Sequence, residues 1–145
     1  MSRGAKKFVE PITFRGVTGN DPIIEVWEEP FPKKVAHVYL ADIADAIVIV
    51  PATAHFIAKH ANGLADDMLT NVLLATNDSS KVIFCPAMNV NMYNHPATKR
   101  NIKILEEYGI NILPPEIGHL VCGYEAEGKL PSTPIIVECI RQIIK

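Results

Sequence analysis

An asparagine flanked by methionines follows a short apolar run: Val82-Ile83-Phe84-Cys85 leads into Pro86-Ala87-Met88-Asn89-Val90-Asn91-Met92-Tyr93. A β-branched and aromatic run halted by proline reads as a buried strand over Lys81–Cys85 that opens into a loop. In open α/β sheets, ligands bind beyond the carboxyl ends of the strands. The loop therefore puts an amide, which both donates and accepts hydrogen bonds, where a ligand belongs. The neighbouring thioethers of Met88 and Met92 read as packing. A second run, Ala46-Ile47-Val48-Ile49-Val50, stops at Pro51, and Thr53 caps a helix to about Ala61. The amides that open such a helix, around Ala52, Thr53 and Ala54, favour anionic or polar ligand atoms. Cys122 stands beside Gly123 and near Gly128, in a loop-like stretch where a partly exposed thiol can give up a proton. Cys85 and Cys139 fall in a strand and a helix and read as packing. No metal-ligand spacing is present, since His55 and His60 are five residues apart and the other histidines are scattered. Judged by residue type alone, His37 is a surface or packing histidine.

The elements that must position these groups alternate. Ala5–Val17 reads as helical turns around Pro11, Asn20-Asp21-Pro22 as a turn and residues 28–32 as a loop. Asn62-Gly63 closes the helix begun at Thr53. Asp66–Thr76 is a second helix, with Met68, Leu69, Val72 and Leu73 at helical spacing. Pro96 opens a helix to about Tyr108, Gly109 ends it, and Ile110–Leu113 is a third strand. Gly118–Pro131 reads as irregular, and Thr133-Pro134 caps a last amphipathic helix. Strands alternating with helices predict a parallel, doubly wound α/β sheet. Such a sheet normally has more than the three strands legible here, including one before the first of them.

Composition narrows the function. At 145 residues, 48% hydrophobic, the chain suits one domain with a real core and room for an apolar face covered by a partner subunit. A net charge of −2 without a long run of one sign argues against a nucleic-acid or anionic-membrane footprint. The apolar runs are too short to cross a bilayer, and no signal peptide follows Met1. Three cysteines without paired spacing fit reduced thiols in a cytoplasm.

Pro86-Ala87-Met88-Asn89-x-x-Met92-Tyr93 resembles the P-x-M-N-x-x-M-W signature of the homo-oligomeric flavin-containing cysteine decarboxylases. Further segments are similar to that family in the same order. They are Ala5-Lys6-Lys7-Phe8-Val9-Glu10-Pro11-Ile12-Thr13-Phe14, His37-Val38-Tyr39-Leu40 with Ala44-Asp45, Pro51-Ala52-Thr53-Ala54-His55-Phe56, Ala61-Asn62-Gly63-Leu64-Ala65-Asp66-Asp67, Pro96-Ala97-Thr98-Lys99-Arg100-Asn101, and Cys122-Gly123 with Gly128-Lys129-Leu130-Pro131. The resemblance covers nearly the whole chain.

It implies a flavodoxin-like or Rossmann-like three-layer α/β/α domain over residues 1–145, with FMN as cofactor. The implied reaction is decarboxylation of 4'-phosphopantothenoylcysteine to 4'-phosphopantetheine in coenzyme A biosynthesis. In that family FMN oxidises the substrate thiol to a thioaldehyde, which accepts the electron pair as CO2 leaves, and the electrons are then returned. The resemblance assigns His37 and Cys122 to proton transfer. It gives Asn89, with Met88, to the substrate carboxylate or amide, and Lys129 to the substrate phosphate as a point charge, where the family has arginine. A solvated surface lysine is the plain alternative for Lys129. Ser2, Ala52, Thr53, Ala54 and His55 fall on flavin-binding positions. The implied assembly is a trimer or a multiple of trimers, with FMN and substrate between subunits and His37 and Asn89 from neighbouring copies. A synthetase that makes the substrate is the implied partner, fused or separate. A peptidyl-cysteine decarboxylase of lantibiotic maturation and a non-catalytic flavoprotein subunit or fragment are the alternative readings.

Several positions depart from the family. His55 and Phe56 replace an Asn-Thr pair, so any flavin contact at residue 55 is remade with an imidazole. His95 replaces an asparagine before Pro96 and is expected to cap the following helix less well. Tyr93 for tryptophan keeps an aromatic with a polar end. The resemblance places Met1-Ser2 near the end of the family's second strand, so the family's opening strand, glycine-containing phosphate loop, helix and most of that strand have no counterpart in residues 1–145. A coding start further upstream explains this better than decay, because the catalytic positions are retained.

Overall fold

The computed structural model describes residues 1–119, 123 and 125–145. They form two compact units, residues 1–43 with 64–77 and residues 44–63 with 78–145.

The second unit carries the parallel sheet. Strands β1 (Ile47–Ala52), β2 (Val82–Pro86) and β3 (Asn111–Ile112) lie in the order β1-β2-β3, all parallel. Every residue of β2 is buried, as its unbroken apolar run demands of a central parallel strand. Its side chains alternate between faces. Phe84 meets Phe56 (centroids 6.0 Å) and His60 (5.7 Å) of helix α3 (Ala54–Ala61), which packs against helix α6 (Pro96–Glu107). Ile83 and Cys85 face the other way, onto Ile136 of helix α7 (Thr133–Ile143), joined by Val48, Leu113, Leu130 and Cys139. This unit thus shows helix, sheet and helix layers, as the alternation of strands and helices predicts.

The expected elements are present, with corrections. The first strand does not stop at Pro51 but runs to Ala52, and its register against β2 shifts between Ile49 and Ala52. A proline without an N–H is tolerated where a ladder is irregular or at an edge. The stretch read as irregular, Gly118–Pro131, holds the end of one strand and the whole of another, the antiparallel pair β4 (Glu116–His119) and β5 (Glu125–Lys129). The signature segment is a loop only to Asn89, after which α5 (Val90–Asn94) begins. The last helix has Ser132 at its N-cap position, without a side-chain cap bond, and Thr133-Pro134 already lie inside it. His95 does cap α6, its Nδ1 accepting the Ala97 N–H at 3.2 Å.

The first unit holds α1 (Pro11–Thr18), α2 (Ala36–Ile43) and α4 (Met68–Ala75), with α2 packed on α4. Helix α4 opens with a capping box between Asp67 and Thr70, so that the helix starts two residues after the expected Asp66. Helix α2 was not marked by the sequence pattern. Its start is held by the Glu29 carboxylate, which accepts the Ala36 N–H at 3.2 Å.

Candidate functional site

The carboxyl ends of β1 and β2 are joined through the backbone. The Ala87 N–H donates to the Ala52 carbonyl at 3.2 Å, which holds the start of α3 beside the signature loop. Ala52 has no exposed surface, so its contribution is that carbonyl. Thr53 is the N-cap of α3, its Oγ accepting the Phe56 N–H at 3.2 Å. By helix geometry the amides of Ala54 and His55 have no partner within the helix, and the His55 side chain is exposed in the same first turn. First-turn amides, a capping hydroxyl and the small side chain of Ala54 make a donor-rich, sterically open edge. That edge fits the polar rim or phosphate of a flavin nucleotide.

Asn89 is the N-cap of α5, with its Oδ1 accepting the Asn91 N–H at 2.9 Å. The loop preceding it is pinned from the other side, where the Met88 N–H donates to the Gly128 carbonyl at 3.1 Å. Gly128 adopts a φ of 144°, and Lys129 follows it at the exposed end of β5. These backbone links gather Ala52, Thr53, Ala54, His55, Met88, Asn89 and Lys129 at the carboxyl end of one parallel sheet. Met88 is half-buried, whereas Met92 is 50% exposed and does not pack as expected. Tyr93 is buried, its ring lies under the Lys99 Nζ at 3.7 Å, and its hydroxyl is held above its ordinary pKa by burial and then by nearby Glu127 and Glu106.

Cys122 lies outside the described residues. Cys85 is fully buried, and that burial, with a smaller contribution from Cys139, pushes its thiol pKa up to about 11. It is a packing thiol, as its place in a central strand suggests.

His37 and Ser2 belong to the first unit. His37 is the second residue of α2 and is half-buried. Its helix is braced by Tyr39, which meets Phe31 edge-on at 4.7 Å and carries the Lys34 Nζ at 3.6 Å over its ring. Ser2 is half-buried, with its Oγ accepting the Ala5 N–H at 3.1 Å. The hydroxyl is thus the anchor of a short turn over Ala5–Lys7. Sequence reasoning missed the groups that do the joining, namely the Ala87 and Met88 amides and the Ala52 and Gly128 carbonyls. Backbone atoms leave no residue-type signal, and only the glycine at 128 hinted at an unusual chain path.

Residues 1–145 match the flavoprotein family along their whole length. Among curated proteins, the chain is 44% identical over 138 residues to the coenzyme A biosynthesis bifunctional protein CoaBC of Bacillus subtilis (strain 168), covering 95% of this chain and 34% of that one. It is 34% identical over 142 residues to a probable phosphopantothenoylcysteine decarboxylase of Streptococcus mutans, covering 98% of this chain and 79% of that one. The chain therefore spans about a third of the bifunctional relative and most of the shorter one. Among solved structures it superimposes on the FMN-dependent cysteine decarboxylase SpaF with a TM-score of 0.82 at 35% identity, covering 100% of this chain and 78% of that one. A mutant phosphopantothenoylcysteine decarboxylase complexed with pantothenoylaminoethenethiol gives a TM-score of 0.80 at 28% identity, with 97% and 79% covered. The three-layer α/β/α, flavodoxin-like architecture with a parallel sheet is the one these structures share.

Proposed function

Because the chain belongs to the flavoprotein family, and to the cysteine decarboxylases its motifs resemble, we propose that it decarboxylates 4'-phosphopantothenoylcysteine to 4'-phosphopantetheine with FMN, on the way to coenzyme A. The observation that carries this reading is the pair of backbone links, Ala87 to Ala52 and Met88 to Gly128, which assemble the start of α3, Asn89 and Lys129 at one strand-end edge. The names of the curated relatives and of the solved structure with a substrate-like ligand support the same substrate.

FMN would be held by the first turn of α3 and would supply a reversible two-electron acceptor for the substrate thiol, the sink that loss of CO2 requires. The protein's task is to hold the substrate and move protons. Asn89, with its Oδ1 turned to the Asn91 amide, offers its NH2 group to the substrate carboxylate. Met88 lines the same approach. Lys129 pairs with the substrate phosphate as a compact charge. His37 transfers a proton near neutrality, and Cys122 returns one to the product carbon.

The chain acts as a homo-oligomer, a trimer or multiple of trimers, in which His37 of one copy serves a site built around Asn89 of another. Unit 1 supports this, since Phe8 and Trp27 are each 89% exposed, Val17 84% and Ile12 66%. Large apolar side chains left this exposed suit a face that another copy covers. A cytoplasmic setting and a synthetase partner, to which the bifunctional relatives point, complete the reading. Among the described residues, no helix is long and apolar enough to cross a membrane.

The test is CO2 release by the purified protein supplied with FMN, given 4'-phosphopantothenoylcysteine or a peptide ending in cysteine. Turnover of the first in preference to the second is expected. No gas from the phosphorylated substrate refutes the assignment.

A further inference from the structure

Lys129 lies along the β4–β5 pair, and a single missing side chain makes its path possible. A Cβ placed on Gly118 of β4 would stand 2.6 Å from Lys129 Cδ, 3.6 Å from its Nζ and 3.7 Å from its Cβ. The lysine stem therefore crosses the bare α-carbon of Gly118 from root to ammonium. Gly118 is not among the glycines with positive φ. Its backbone does not demand glycine, so the constraint is the space itself. The root of the stem is fixed independently. Lys129 pairs across the ladder with Glu116, whose carboxylate accepts the Ser132 N–H at 3.0 Å. The preceding residue, Gly128, accepts the Met88 N–H.

The geometry points to Gly118 as a positioning residue. It provides the corridor that aims the Lys129 ammonium, and through it sets the preference for a phosphorylated over an unphosphorylated substrate. This inference rests on the function proposed above. A Cδ at 2.6 Å from a methyl is far inside the contact distance of about 3.5–4.0 Å, so Gly118→Ala must swing the stem aside. A long side chain can do that while the ladder stays paired, and the consequence falls on where the charge sits.

The experiment compares the unsubstituted protein, Gly118→Ala, Lys129→Ala and the double variant, all loaded with FMN, on 4'-phosphopantothenoylcysteine and on pantothenoylcysteine. Gly118→Ala is expected to raise KM for the phosphorylated substrate about tenfold, equivalent to about 1.4 kcal/mol, with kcat unchanged. KM for the unphosphorylated substrate stays the same, and the double variant behaves like Lys129→Ala. An unchanged KM, an equal rise for both substrates, or additive effects overturns the inference. A second readout needs no turnover, namely the acetylation rate of Lys129 under dilute acetic anhydride, followed by peptide mass spectrometry. It changes in Gly118→Ala if the stem is displaced, and an unchanged rate overturns the inference. If the unsubstituted protein turns over neither substrate, the functional reading fails, and the labelling rate still decides the positioning claim. If Gly118→Ala folds poorly, the double variant removes the clash. Recovery of folding then supports the corridor, and its failure overturns it.

Discussion

His60 should make the protein less stable in mild acid. Its ring is 6% exposed, stacked at 18° and 5.7 Å on Phe84, and its Nδ1 is buried without a hydrogen-bond partner. Burial lowers its pKa below the ordinary histidine value. The unfolded chain titrates near about 6.5. Between that value and the depressed folded value, the unfolded state binds more protons than the folded state. Stability therefore rises with pH across this window, is complete above it, and is lost as pH falls through it. One group exchanges at most one proton, so the slope cannot exceed about 1.4 kcal/mol per pH unit. Other groups titrate in the same range, and His60→Leu isolates this one. It keeps an apolar side chain against Phe84 and removes the ionisable ring. Urea unfolding of both proteins between about pH 8 and pH 5 should show the unsubstituted protein losing ground to the variant only on the acid side. A difference that stays flat, or one in which the histidine protein gains on acidification, refutes the argument.

Other expectations follow from single contacts. Asn89→Asp keeps an oxygen for the Asn91 N–H but replaces the amide donor with a negative charge, so CO2 release should vanish while circular dichroism stays unchanged. His37→Asn should likewise stop gas evolution without unfolding the chain, and normal turnover would remove His37 from the proton-transfer role. Thr53→Ala deletes the acceptor for the Phe56 N–H and should cost about 1 kcal/mol in urea unfolding, together with weaker flavin retention. Phe84→Ala empties a fully buried site and should cost about 3–5 kcal/mol, read from the same unfolding curves. Cys85, with its thiol pKa at about 11, should resist iodoacetamide in the folded protein near neutral pH, as peptide mapping will show.

Much of this was legible from residue types. Val82–Cys85 announced a buried strand because a central parallel strand is apolar on both faces. Thr53, Asn62-Gly63, Pro96 and Gly109 marked helix ends by capping chemistry. The β4–β5 pair was not legible, because Glu125-Ala126-Glu127-Gly128-Lys129 consists of residues depleted from strands. Its ladder is made by backbone pairing with β4. Helix α2 was hidden behind Pro30 and Pro32, and its cap comes from Glu29, seven residues before the amide it receives. At the site, backbone links through the Ala52 and Gly128 carbonyls bring together the named segments around residues 52–55, 88–89 and 129, while Ser2 and His37 lie in the first unit and Cys122 outside the described residues. Lys129 was legible as a charge, while the gap at Gly118 that directs it had no signal beyond the letter itself.

The end of α3 carries a chemical clock. Asn62 closes that helix, its Nδ2 donating to the Ala58 carbonyl at 2.7 Å, and Gly63 follows at a φ of 68°. An exposed asparagine before glycine is prone to cyclise through the unhindered glycine nitrogen and reopen as an acid. Here that ageing turns a donor into a carboxylate facing helix carbonyls, at the end where the dipole opposes negative charge. Stored preparations should therefore accumulate a more acidic species modified at residue 62, and that species should unfold first.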